Sequence, residues 1–262
     1  MRLALILLAA AALLPAADLS VLPAHIRSDP FGQVVAADRP AAVAPTRAIT
    51  LVSPRAAYAS CRLLVSNPEP AAYTLSLSGP LDTELHREWF HFLAAQKLYY
   101  PDALIPAATP LTAQLPDPAN RIAGQTTQSY WLDSWIPAGA RPGTSTLVAT
   151  LTSAGAASKV NIEVRILDAV VPESDPVAID HNSYGTSWFA AQYPALATKP
   201  GFYLSGAFFS LIHAYHRVFY EHRGLYHQLG YGHGGKVGPE FAPRLEGSGR
   251  SRRVADWASY DK

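Results

Sequence analysis

Cysteine is almost absent from this sequence: Cys61 stands alone among 262 residues. No internal disulfide can staple the chain, and its stability has to come from apolar cores. The neighbours of Cys61, residues 59–65, alternate in character as a strand does, which makes Cys61 a small buried hydrophobe rather than a reactive thiol. An excess of charge of one sign is also missing. Lys and Arg number 21 against 20 Asp and Glu, so no whole-chain field draws in nucleic acid or an anionic membrane surface. Beyond the first residues there is no apolar run long enough to cross a bilayer. No Gly-x-Ser-x-Gly elbow supports a serine hydrolase. No His-Glu-x-x-His supports a zinc hydrolase, and the glycine-rich residues 230–238 lack the Gly-Lys-Ser/Thr ending of a phosphate loop. That segment reads instead as an active-site loop.

What is present is apolar content of 49%, enough to build a real core. Arg2 precedes an apolar run over residues 3–14, followed by Pro15, Ala16 and Ala17. This is the layout of a signal peptide over residues 1–17, with the cut after Ala17 and a secreted or periplasmic destination. The competing membrane anchor suffers from the shortness of the run, so no stable membrane insertion is expected after cleavage.

Residues 18–171 carry the signals of a β-sandwich. Short runs rich in β-branched and aromatic residues, 49–52, 61–65, 73–77, 129–136, 145–152 and 159–167, are separated by Pro, Gly, Asn and Ser. Residues 66–70 and 137–143 have the composition of hairpin turns. Alternation in residues 130–136 puts Tyr130, Leu132, Ser134 and Ile136 on one face and Trp131, Asp133 and Trp135 on the other. Two indoles on one face need cover, and core or interdomain packing outweighs sugar stacking as its source. Residues 84–96 fit a short amphipathic helix, whereas 101–118, with five prolines, fit an irregular excursion.

After a proline-flanked acidic boundary at 170–176, residues 177–262 change character. A strand at 177–179, a helix over 205–223 and a strand at 225–231 make a βαβ unit with a parallel pair. The helix carries an apolar stripe of Phe208, Leu211, Ile212, Tyr215, Val218 and Phe219 that suits a sheet surface. Parallel pairs do not stand alone, so the predicted fold class is an N-terminal antiparallel β-sandwich followed by the first βαβ units of a truncated (β/α)8 TIM-type barrel.

In such a domain functional groups gather at the carboxyl ends of the strands. That rule selects Asp180, Asn182 and Tyr184 after the first strand, and Tyr231, His233 and Glu240 after the second. Amides, carboxylates and aromatic rings suit a neutral polyhydroxylated ligand, so carbohydrate is the expected partner. For Asn182 and Tyr184 a strand-capping turn is an equal alternative. Six of the nine histidines lie between His181 and His233, and His213 and His216 stand three apart on one helix. Without a nearby acid in register, packed or hydrogen-bonded histidines are the simpler reading, and neither metal nor cofactor is assigned.

Trp131, Asp133, Pro137, Pro142 and Gly143, then Asp180, His181, Asn182, Ser183, Tyr184 and Gly185, then His216 and Tyr220, Glu221, His222 and Arg223, follow in an order that resembles glycoside hydrolase family 123 and its relatives carrying the domain of unknown function 4091. The resemblance runs over residues 49–262. It implies a β-sandwich ahead of a barrel, and action on terminal β-linked N-acetylgalactosamine through an Asp-Glu pair assisted by the substrate's own acetamide. In the family that pair sits on a later barrel strand. No position here matches it, so the resemblance assigns no catalytic residue, and this chain by itself is expected to be inactive: a glycoside hydrolase-like protein, or else a non-catalytic carbohydrate-binding or cell-surface scaffold protein.

Overall fold

The computed structural model describes residues 16–41, 43–172, 180–182, 185–221, 225–227 and 243–259. Residues 1–15 of the expected signal peptide lie outside them. The chain divides into two compact units, residues 1–172 and 173–262.

The first unit is built from ten strands: β1 (Asp18–Pro23), β2 (Ala48–Arg55), β3 (Ala57–Ser66), β4 (Ala71–Ser78), β5 (Asp82–Leu93), β6 (Leu98–Ala107), β7 (Leu111–Leu115), β8 (Thr127–Ile136), β9 (Gly143–Ser153) and β10 (Ala156–Val170). They form two five-stranded sheets, in the orders β1-β3-β8-β5-β6 and β2-β10-β9-β4-β7. Strand β10 shows why the residues choose this form. Val160, Ile162, Val164 and Ile166 are buried while Asn161, Glu163 and Arg165 between them are exposed, which is the two-residue period of a half-buried strand. The inner faces of both sheets share one core, to which the first contributes Leu63, Tyr130 and Leu132 and the second Leu75, Leu151 and Ile162. Cys61 belongs to this core, fully buried.

Several expectations are corrected here. The second sheet is mixed, because β10 pairs with β2 in parallel and with β9 antiparallel. The turns 66–70 and 137–143 are not hairpins. Each carries the chain from one sheet to the other, β3 to β4 and β8 to β9. The tight hairpin is β9–β10, where Ala154 and Gly155 both take positive φ, as a two-residue connection between twisted strands requires. Residues 84–96 do not form a helix. They belong to β5 and the turn after it, and an irregularity between Glu88 and Phe90 breaks the two-residue period. Leu85, Trp89, Phe92 and Leu93 fall at i, i+4, i+7 and i+8, so the strand imitates a helical pattern. The proline-rich stretch 101–118 includes β6 and β7. Both are edge strands, where a proline without an N–H breaks no ladder between two neighbours.

The second unit contains β11 (Asp180–Asn182), α1 (Gly185–Gln192), α2 (Pro194–Ala197), α3 (Gly206–Glu221), β12 (Leu225–His227), β13 (Arg244–Glu246) and β14 (Arg253–Asp256). On α3, Phe208 and Ile212 are buried against Phe189 and Phe202, with Leu211, Tyr215 and Phe219 packed around them. The stripe read from the sequence therefore builds a small aromatic core with α1 and the turn before α3, and Val218 lies outside it, half exposed.

The fold class predicted for this part does not hold. A barrel wall needs a run of parallel strands, each hydrogen-bonded on both sides. Among the described residues of the second unit there is one parallel pair, β11 with β12, three residues long. The other pair, β13 with β14, is antiparallel and mostly exposed. The protein is nearly all β, with mixed and antiparallel sheets, and not a sandwich followed by barrel units.

Candidate functional site

Of the six predicted lining residues, the structure describes two, Asp180 and Asn182, both on β11. Their backbones lie opposite Leu225 and His227 of β12 in parallel register. The chain leaving Asn182 and the chain leaving His227 therefore depart from the same end of the pair. Strand β11 begins after residues 177–179, which lie outside the described residues, as do Tyr184, Tyr231, His233 and Glu240.

A second constellation, missed by sequence reasoning, covers the outer face of the first sheet. Register across β3, β8 and β5 makes three rungs: Tyr58, Trp135 and Asp82; Ser60, Asp133 and Glu84; Arg62, Trp131 and His86. Trp131 and Trp135 were legible as an aromatic pair on one face. Their partners on β5 were not, because that strand imitates a helix. Both indoles have a companion: the Arg62 guanidinium lies 4.7 Å from the Trp131 ring, and Tyr58 packs on Trp135 at 4.9 Å. The Ser60 hydroxyl donates to Asp133 at 2.5 Å, which turns that carboxylate along the face toward β3. Asp133 and Glu84 stand directly opposite one another, with His86 3.9 Å from Glu84.

Beneath Trp131 the face closes. Arg62 donates from Nε to both carboxylate oxygens of Glu88, at 3.0 and 3.1 Å, and from Nη1 to the carbonyls of Ala24 and Ile26. The Ser129 hydroxyl donates to the same carboxylate, and the Gln128 amide donates to the Glu88 carbonyl at 2.9 Å. Nearby, Arg27 grips Asp38 through Nε and Nη2, at 2.8 and 2.7 Å, and lies 4.5 Å over the Tyr100 ring. Hydrogen bonds from the Arg27 side chain hold the Asp38 carboxyl below its ordinary range. Burial pushes the Cys61 thiol up to about 12, which removes it as a nucleophile.

Among the described residues no cluster of three or more His, Cys, Asp or Glu side chains is placed to hold a metal ion. His213 and His216 are both exposed on α3. None of the described helices is long and apolar enough to cross a membrane.

No family model matches the chain, and no curated protein matches it in sequence. Among solved structures, a family 123 glycoside hydrolase from Clostridium perfringens, described in connection with glycolipid glycan hydrolysis, is similar at a TM-score of 0.59 and 12% identity. The likeness covers 79% of this chain and 37% of the hydrolase, so this chain spans well under half the length of that enzyme. At this identity the likeness shows a shared fold and nothing further. A PapD-like domain of human CEP192 and Spo0M of Bacillus subtilis are similar at TM-scores of 0.27 and 0.29, with 9% and 8% identity. The first likeness covers 48% of this chain and 83% of that domain, the second 61% and 51%. Scores this low support no conclusion about this protein.

Proposed function

We propose that this protein is an exported, glycoside hydrolase-like protein that acts on or binds carbohydrate. The observation that carries the reading is the likeness to the Clostridium perfringens hydrolase across most of this chain. The binding groups assigned to the carbohydrate are Asp180, Asn182, Tyr184, Tyr231, His233 and Glu240. The parallel pairing of β11 with β12 supports this assignment, since it starts both segments from one end of the pair. Glycans containing N-acetylhexosamine are the favoured class.

No residue of this chain is assigned the role of catalytic acid or nucleophile. That favours a second reading, in which the chain binds carbohydrate without cleaving it. Titration calorimetry of the purified protein with N-acetylgalactosamine and with glucose, beside a hydrolysis assay on p-nitrophenyl N-acetyl-β-galactosaminide, separates the cases. Binding of the amino sugar that is weakened about tenfold or more by Asn182→Ala or Tyr231→Ala supports the assignment, and hydrolysis decides between enzyme and binder. Absence of saturable binding to either sugar overturns the reading. Cell fractionation with mass measurement of the mature chain tests export: an unprocessed cytoplasmic product refutes it.

A further inference from the structure

Between the sheets, at the edge where β6 passes into β7, lies a cavity of about 580 Å³, a size that suits a small molecule. It arises from short side chains. Elsewhere the gap between the sheets is filled by Leu63, Leu75, Leu132 and Leu151, but at this edge two of the residues packed against the core, Ala107 and Ala113 beside Leu111, are alanines. Sheets packed about 10 Å apart need longer side chains to meet.

The cavity has a polar wall with two components. Arg87 and Asp117 form an ion pair at 2.7 Å, and the Asp117 carboxylate also accepts the Ala119 N–H at 2.9 Å. The charges cancel within the wall. Tyr73 and Tyr130 share one hydroxyl–hydroxyl hydrogen bond at 2.6 Å. Burial is the main cause that raises both phenols above their ordinary range, Tyr130 to about 12, so both are neutral donors at physiological pH. Two hydroxyls in one hydrogen bond use one hydrogen and leave the other. Among the described residues no hydrogen bond takes the second, and a buried donor left without a partner is costly.

We infer that this cavity binds a small neutral molecule with an apolar body and a carbonyl-type oxygen, which accepts the spare tyrosine hydrogen. An anion would find the Arg87 charge already matched, and a cation would find Asp117 already occupied. This site lies wholly within the first unit and is independent of the carbohydrate assignment.

Fluorine NMR titration of the whole chain tests it with 4-fluoroacetophenone, against fluorobenzene, which lacks the acceptor, and 4-fluorobenzoate, which adds a charge. The ketone is expected to bind saturably and about tenfold more tightly than either comparison compound, the worth of one good hydrogen bond. Ala113→Leu, or Ala107→Leu should the first variant not fold, is expected to abolish binding with circular dichroism unchanged. Tyr73→Phe combined with Tyr130→Phe is expected to bring the ketone down to the level of fluorobenzene. No saturable ketone binding, equal binding of fluorobenzene, or binding unaffected by the filled cavity each overturns the inference.

Discussion

Arg62 and Glu88 face each other at 3.0 Å with 8% and 2% of their side chains exposed, an ion pair shut into the outer face of a β-sheet. Such a pair costs desolvation and is worth little against a well-packed apolar replacement, but removing one partner strands the other charge. Glu88→Leu or Arg62→Met alone is expected to lower unfolding stability by about 3–5 kcal/mol. The double variant Arg62→Met with Glu88→Leu is expected to lose less than the sum of the single losses. Urea denaturation of the three variants checks this, and additive losses would refute it.

Alkali is expected to destabilise the first unit through buried phenols. For Tyr73 and Tyr130 the folded-state pKa lies above that of the unfolded chain, so the unfolded chain loses protons first. The stability they contribute is complete below about pH 10 and is lost as pH rises toward about 12. The Cys61 thiol, raised to about 12, adds in the same direction. Absorbance at 295 nm should show a group of tyrosines that titrates only with unfolding, and Ellman's reagent should leave Cys61 unmodified at pH 8 until denaturant is added. Prompt modification of Cys61 in the folded protein would contradict its burial.

In acid the sign reverses. The Asp38 carboxyl is held below its ordinary range chiefly by hydrogen bonding from Arg27. It therefore contributes stability above the unfolded value near pH 4, which is lost as pH falls through the folded value. Asp38→Asn should flatten the acid limb of a plot of melting temperature against pH while changing the alkaline limb little. An unchanged acid limb would remove Asp38 from the explanation.

Gly79, between β4 and β5, has φ +152°, and an added Cβ would lie 2.4 Å from Leu147 Cδ2 and 3.0 Å from the Thr146 carbonyl oxygen. The leucine tip can turn away, but the carbonyl belongs to β9. Gly79→Ala is expected to cost about 2–3 kcal/mol, from overpacking and backbone strain together. Gly139→Ala, where nothing lies within 4 Å, serves as the control and should be near neutral. Thermal unfolding of both reports the difference.

The strands of the first unit were legible wherever one face is buried and the other wet, because the two-residue period then writes itself into the residues. Strand β10 is the clearest case, and in β8 the buried set Tyr130, Leu132, Ser134 and Ile136 matches the alternation. Helix α3 was legible for the same reason at the other period. Strand β5 was not, since one irregularity between Glu88 and Phe90 changes its spacing to that of a helix. The prolines of β6 obscured a strand that tolerates them only because it sits on an edge, and edge position is a property of the assembled sheet.

Composition and periodicity by themselves settled that this chain has an apolar core without disulfide support, strands early and a helix late. Only the tertiary structure decided which strands are neighbours. That choice made the second sheet mixed, turned two supposed hairpins into crossings between sheets, brought Glu84 opposite Asp133, and left one short parallel pair where a barrel was expected. The physical reason is that periodicity records which way each side chain faces, while strand pairing is set by backbone hydrogen bonds, which every residue except proline offers alike.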